Sequence, residues 1–162
     1  WVTNDASYDY HNWYGFGAVD VDAAVAMADG YVSPGWGVDM STDTASESAL
    51  SVGITDNSST GIERTVMITD TITIEAVQLT ITLDHTYLGD LAIELESARG
   101  TKSILFNVYN GFGSSNDLDE MVLLTNAFYG ETSNGTWRLR VIDGSSGDTG
   151  TLEAWSVKVY GH

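Results

Sequence analysis

The sequence predicts an all-β sandwich, and three observations support this prediction. Apolar and polar residues alternate with a period of two along four segments, Val77–Leu83, Leu91–Leu95, Trp137–Val141 and Trp155–Val159. Glycine, asparagine, aspartate and serine separate these segments, as tight turns require. No helical pattern interrupts them after about residue 49. Because each alternating strand has one apolar and one polar face, the strands are expected to pack as two sheets around one core.

Further strands are expected at 50–54, 62–68, 101–108 and 121–125. Together with the four alternating segments they give about eight short strands, the number typical of a sandwich domain. Trp137 and Trp155 fall on the apolar faces of their strands, and we expect both in the core.

One short helix is expected before the strands. Asp20 or Asp22 can cap an apolar run over 21–28, and Gly30 ends it. Residues 31–48 hold the only proline, Pro34, among glycine, serine and threonine, and are interpreted as a linker. The predicted organisation is therefore 1–30, 31–48 and a sandwich over 49–162. The chain begins with tryptophan rather than methionine, and we expect it to come from a longer protein.

The composition excludes several classes of partner. Six Lys+Arg against 23 Asp+Glu give a net charge of −17, and the cations form no cluster that could neutralise phosphates. Nucleic acid and anionic membranes are therefore poor partners, and no run reaches the ~18 apolar residues of a membrane span. The absence of cysteine excludes zinc–thiolate sites and disulfides but not secretion.

Candidate catalytic residues are few. The three histidines, His11, His85 and His162, are accompanied by no Gly-x-Ser-x-Gly turn. A serine-protease triad is not expected within this chain, and each histidine is interpreted as structural. Paired carboxylates of a glycosidase stay open at this point, because their separation decides that chemistry.

Calcium is the cofactor that the acidic loops would suit, because it takes six to eight oxygen ligands from carboxylates and loop carbonyls. Two loops, 84–90 and 143–148, supply the candidate ligands Asp84, Asp90, Asp143 and Asp148. Two alternatives stay open: the acids are solvated surface charge, or Asp90 and Asp143 tie strand ends through backbone N–H groups.

Aromatic residues in loop-like stretches are the second candidate site. Trp36, Tyr109 and Phe112 would form a binding surface for a protein or polysaccharide. The alternative is that loop aromatics close the ends of the sandwich.

The order of short motifs resembles a known family. Asp84-His85-Thr86-Tyr87-Leu88-Gly89-Asp90-Leu91 is followed by Gly100-Thr101, Gly135-Thr136-Trp137, Asp143, Gly150-Thr151-Leu152 and Tyr160-Gly161. This series resembles the P domain (Homo B) of the kexin and furin branch of subtilisin-like serine proteases. The earlier run 12–20, with Ala24-Val25, is similar to the end of a subtilase catalytic domain.

The resemblance implies a jelly-roll (galactose-binding-like) sandwich, often accompanied by calcium, at the C-terminal side of a secreted bacterial serine endopeptidase. Residues 1–30 would be the catalytic domain's tail, and the catalytic residues would lie outside this chain. The implied role is a non-catalytic module that docks on the catalytic domain of the same polypeptide, stabilises it and assists folding or maturation. Two alternatives remain, a substrate- or carbohydrate-binding module and an inhibitory or self-associating one. Leu88-Gly89-Asp90 stands where many eukaryotic members carry Arg-Gly-Asp, so no integrin-type role is implied.

Overall fold

A computed structural model describes residues 1–31, 40–112 and 117–162. Two short strands and a helix come first: β1 (Val2–Thr3), β2 (Asp9–Tyr10) and α1 (Val21–Ala28). The sandwich strands follow as β3 (Ser41–Glu47), β4 (Val52–Ile54), β5 (Ser58–Ile68), β6 (Ile74–His85), β7 (Leu91–Glu96), β8 (Lys102–Phe106), β9 (Leu118–Thr125), β10 (Gly135–Asp143) and β11 (Gly150–Gly161). A single 3-10 turn, Leu88–Asp90, precedes β7. None of the helices in these ranges is long and apolar enough to cross a membrane.

Two antiparallel sheets form the sandwich. One has the order β3-β11-β6-β9, with β4 also paired to β11, and the other has the order β5-β10-β7-β8. The eight sandwich strands other than β4 can be counted from 1 (β3) to 8 (β11) in chain order. Strands 1, 8, 3 and 6 then share one sheet, and strands 2, 7, 4 and 5 share the other. That alternation between sheets is the connectivity of a jelly roll. The predicted fold class, a jelly-roll sandwich preceded by a short helix, is confirmed.

The core consists of the inward positions of the alternating strands. Val77, Leu79, Ile81 and Leu83 of β6 are buried, and so are Trp137, Leu139 and Val141 of β10. Trp137 and Trp155, expected in the core, are 0% and 2% exposed. The indole N–H of Trp137 donates a 2.8 Å hydrogen bond to the Ser133 carbonyl, so the large ring is buried with its polar atom satisfied.

Strand β3 lies within the segment 31–48, for which the sequence predicted only a linker. It pairs with β11 from Ser41 opposite Gly161 to Glu47 opposite Trp155. Its sequence, STDTASE, has a single apolar residue, Ala45, which packs against the core. An edge strand with so little apolar surface shows no period-two signal, because backbone pairing rather than side-chain burial holds it in place.

Glu47 connects the two sheets at one edge of the sandwich. Its Oε2 accepts 3.0 Å from Arg64 Nε of β5 and 2.8 Å from the Trp155 indole N–H of β11. Arg64 Nη2 also bonds Glu47 Oε1. The hydrogen bond from Arg64, with that from Trp155 and the charge of Arg64, holds the pKa of Glu47 below its usual value of 4.5 despite partial burial.

The outer face of the β5-β10-β7-β8 sheet carries a ladder of ion pairs. Arg140 lies 2.7 Å from Glu63 and 3.4 Å from Glu94, and Glu96 lies 3.2 Å from Arg138 and 3.4 Å from Lys102. Cross-strand neighbours of opposite charge favour this register. The ladder holds three of the six cations, and its own carboxylates neutralise them. The net charge of −17 therefore lies outside this face.

Candidate functional site

The most elaborate polar contacts in the described residues join the N-terminal segment (residues 1–30) to the sandwich, along a boundary that we call the seam. Asn4 is its first anchor and is only 4% exposed. Its Nδ2 donates to the carbonyls of Ala127 (3.0 Å) and Tyr129 (2.9 Å), in the loop between β9 and β10. Its Oδ1 accepts 2.9 Å from the backbone N–H of Tyr8. One side chain therefore both closes the β1–β2 turn and fixes it to the sandwich.

Glu131 is the second anchor, a carboxylate that is 1% exposed. Its Oε1 accepts 3.0 Å from the backbone N–H of Asp5 and also accepts from the Thr101 hydroxyl. Its Oε2 accepts 2.7 Å from the Ser97 hydroxyl. A buried carboxylate is tolerated only when donors surround it, and here they come from both sides of the seam.

Aromatic rings fill the seam beside these anchors. Tyr8 contacts Tyr129 edge to face at 5.3 Å, and Phe16 contacts Tyr10 in the same manner at 5.4 Å. Gly130 permits the approach of Tyr8, because its φ is +80° and a Cβ there would lie 2.9 Å from the Tyr8 ring. Any other residue at position 130 would meet both backbone strain and a clash.

The later part of the N-terminal segment, residues 13–28, exposes several apolar side chains. Helix α1 has no buried residue, although the Asp20 carboxylate caps it by accepting 2.9 Å from the N–H of Ala23. The apolar residues left in contact with solvent include Trp13, Val19, Val21, Val25 and Met27, which are 65–81% exposed. An eight-residue helix with no buried residue is unstable in water, and a concentration of exposed apolar residues usually marks an interaction site.

The four predicted calcium ligands lie at one end of the sandwich. Asp84 is in β6, Asp90 ends the 3-10 turn, Asp143 ends β10 and Asp148 lies in the following loop. Asp148 Oδ1 accepts 2.7 Å from the Thr86 hydroxyl. Burial raises the pKa of Asp90, and the nearby charges of Asp143 and Asp148 raise it further. Within the described residues, no three histidine or acidic side chains come close enough together to hold a metal ion, so calcium stays a prediction.

Asp143 is completely buried and lies beside an equally buried His85. Its Oδ1 accepts 3.1 Å from the backbone N–H of Ser145, which ties the end of β10 to the following loop. His85 Nε2 lies 3.4 Å from Asp143 Oδ2, and neither atom has a closer polar partner among the described residues. His85 Nδ1 faces the backbone of Tyr87. Both ring nitrogens are thus directed at structural neighbours rather than at a serine hydroxyl.

The predicted aromatic surface is only partly described. Tyr109 is 85% exposed at a φ of +59°, whereas Phe112 packs on Phe106 with ring centroids 5.3 Å apart. Trp36 lies outside the described residues. Whether these three residues form a binding surface stays a prediction.

The seam anchors Asn4 and Glu131 were not among the residues that sequence reasoning selected. An isolated Asn-Asp pair and one glutamate among 23 acids carry no distinguishing pattern. Their role arises from contacts across 123 to 126 positions of the chain, which no local period reports.

Comparison with known proteins identifies the family. A family model described as the proprotein convertase P-domain matches residues 74–159. The Aeromonas extracellular serine protease of Aeromonas sobria is 32% identical over the whole of this chain, and neuroendocrine convertase 2 of Homo sapiens is 29% identical over 99% of it.

A solved structure agrees with these matches. The crystal structure of the Aeromonas sobria serine protease in complex with the chaperone (ORF2) superposes with a TM-score of 0.85 at 31% identity, covering all of this chain. This chain spans 32% and 26% of the lengths of the two curated relatives and 33% of the solved one. The resemblance drawn from the sequence motifs is confirmed, and the chain belongs to the proprotein convertase P-domain family of subtilisin-like serine proteases.

Proposed function

We propose that this chain is the non-catalytic C-terminal P domain of a secreted bacterial serine endopeptidase of the kexin and furin type. In this role it stabilises the catalytic domain of the same polypeptide and assists its folding or maturation. The observation that carries the proposal is the N-terminal segment. Its first residues are fixed to the sandwich through Asn4 and Glu131, and its later residues, 13–28, include several exposed apolar side chains.

The exposed apolar residues, among them Val21, Val25 and Met27 of α1, would gain stability from a covering surface, because burying such side chains contributes about 25 cal/mol per Å². A catalytic domain joined covalently to the segment would supply that surface at high effective concentration. The sandwich would stabilise the folded form of its neighbour by linkage, as any ligand of the native state does.

The relatives support the wider context of the proposal. One is named an extracellular serine protease and the other a convertase, and the first name favours a secreted endopeptidase as the parent protein. The solved relative is in complex with a chaperone, and that pairing favours a maturation process that needs assistance.

The test uses the full-length parent protease with substitutions at the seam. Asn4→Ala and Glu131→Gln should lower the yield of active enzyme and shorten the half-life of activity on heating. Their matched control is Glu153→Gln, at an exposed position of β11. If the seam variants mature in normal yield and keep the half-life of the control, the stabilising role is wrong.

A second arm removes the module altogether. Deletion of residues 41–162 should abolish or sharply reduce recovery of active protease, and normal yield and half-life would contradict the proposal. Turnover of a small peptide substrate by whatever enzyme matures should be nearly unchanged, because the proposal assigns the module no contact with substrate.

A further inference from the structure

A cavity of about 490 Å³ opens at the seam, next to the anchors but not used by them. Its lining consists of Tyr8 and Phe16 from the N-terminal segment, Glu75 from β6, and Asn126 and Tyr129 from the loop after β9. A volume of this size falls within the range of ligand-binding pockets.

The three aromatic rings stand as mutually inclined walls. Tyr8 and Tyr129 are 5.3 Å apart at 75°, Phe16 and Tyr129 are 6.0 Å apart at 71°, and Tyr8 and Phe16 are 6.3 Å apart at 76°. Each ring remains 41–46% exposed, so the protein does not fill the space beside them. The face of an aromatic ring is electronegative and attracts cations.

The polar groups of the cavity are acceptors. Glu75 supplies a carboxylate whose Oε1 is 3.1 Å from His162 Nε2, which leaves Oε2 as a further acceptor. The Asn126 amide nitrogen donates 2.8 Å to the Glu75 carbonyl, so its amide oxygen is the group that can accept from a ligand. Among the residues that the structure describes, no lysine or arginine lines the cavity.

The charge distribution of the whole molecule agrees with this local chemistry. The net charge is −17, and Lys102, Arg138 and Arg140 are paired with carboxylates on the ion-pair ladder. A cationic partner would therefore be attracted to the molecule over long range.

We propose that this cavity binds the guanidinium group of an arginine side chain on a partner polypeptide. A guanidinium is planar, stacks on aromatic faces and donates in a fork that matches a carboxylate, and these are the features that three rings and Glu75 would recognise. The proposal does not depend on the proposed function, and a stabilising P domain could have or lack this site.

The first experiment titrates the 162-residue chain with N-acetyl-arginine methylamide and follows aromatic and backbone NMR signals. The shifts should concentrate at Tyr8, Phe16, Tyr129 and Glu75. The citrulline analogue has the same shape without the charge, and it should bind roughly tenfold more weakly. The lysine analogue should also bind more weakly, because an ammonium lacks the planar fork.

Two variants and two matched controls complete the test. Glu75→Gln and Phe16→Leu should weaken arginine binding, while Glu120→Gln and Tyr31→Leu, at exposed positions outside the cavity lining, should leave it unchanged. Melting temperatures establish that each variant is folded. Binding of the citrulline or lysine analogue as tight as that of arginine would overturn the proposal. Full affinity in Glu75→Gln, or no shifts at the cavity, would also overturn it.

Discussion

Glu131 accepts a 3.0 Å hydrogen bond from the backbone N–H of Asp5, although the two residues are 126 positions apart in the chain. The bond uses the backbone of Asp5, so it restrains the path of the N-terminal segment whatever side chain occupies position 5. Because Glu131 also accepts from Ser97 and Thr101 in the β7–β8 connection, one carboxylate joins two other stretches of chain to its own loop.

Glu131→Gln should therefore destabilise the chain. The amide replaces one acceptor oxygen with a donor, which leaves a buried N–H or O–H group without a partner and costs about 1–3 kcal/mol. Thermal melting should show a fall of roughly 2–4 °C per kcal/mol. Glu153→Gln, the exposed control, should melt within about 0.5 kcal/mol of the original chain. Equal melting of both variants would show that Glu131 is not an anchor.

Asn4→Ala should release the N-terminal segment without unfolding the sandwich. The substitution removes the hydrogen bonds to Ala127 and Tyr129 and the acceptor for the Tyr8 N–H. Hydrogen exchange should accelerate over residues 1–10 and stay slow in β6 and β11, because local opening needs less free energy than global unfolding. Asn134→Ala, which removes an exposed contact with Arg99, is the control and should leave exchange in residues 1–10 unchanged.

Glu47→Gln should destabilise the chain more at neutral pH than in acid. The pKa of Glu47 is lowered in the folded state from its usual value of 4.5, chiefly by the hydrogen bond from Arg64. Its stabilising contribution is thus fully present above the unfolded pKa and is lost as pH falls through the folded value. Urea denaturation should show a difference of about 1 kcal/mol at pH 7 that shrinks as the pH falls below the unfolded pKa. A difference that does not shrink on acidification would contradict this account.

Asp90→Asn should have the opposite pH signature. Burial, and then the charges of Asp143 and Asp148, raise the pKa of Asp90 above its usual 3.8. The folded state therefore binds the proton more tightly, and stability falls as pH rises from the unfolded to the folded pKa. The variant, with EDTA present, should be at least as stable as the original chain at pH 7 and should lose this part of the pH dependence. Marked destabilisation at pH 7 would mean that ionised Asp90 has a stabilising partner.

Calcium in place of EDTA should raise the melting temperature if the predicted site exists. Backbone carbonyls of the loops would have to complete a set begun by two of Asp84, Asp90, Asp143 and Asp148. At a hundredfold excess over its dissociation constant the ion would add about 2.7 kcal/mol to the free energy of unfolding. We expect the double variant Asp90→Asn/Asp148→Asn to lose the response. An unchanged melting temperature in the original chain would show that these acids bind no calcium.

Much of the fold could be predicted from the sequence, because a strand with one buried face shows alternating apolar and polar residues. This alternation indicates the strands containing Val77–Leu83 and Trp137–Val141, and both are among the most buried segments. Strand β3 shows no such alternation, since its pairing with β11 depends on backbone groups that every residue carries. The jelly-roll connectivity came from the family resemblance, because strand order depends on contacts that alternation does not encode.

The candidate sites also differ in whether a local sequence pattern indicates them. The sequence indicates the acidic loops around Asp90 and Asp143, because their residues are close in sequence to strand ends. The seam was not found, because Asn4 and Glu131 acquire partners only when distant segments meet. Tyr8 and Phe16 line the cavity that we propose binds an arginine side chain. They belong to a stretch whose tyrosines and glycines predict neither a strand nor a helix.

The pairing of Ser41 with Gly161 places the first and last strand residues of the sandwich side by side. A domain whose N- and C-terminal ends lie close together can be attached to another protein, or inserted into one of its loops, without distorting the host chain. The same sandwich could therefore be gained, lost or transferred between proteases as one piece. The seam contacts, among them those of Asn4 with Ala127 and of Asp5 with Glu131, would need to be matched again to a new neighbour.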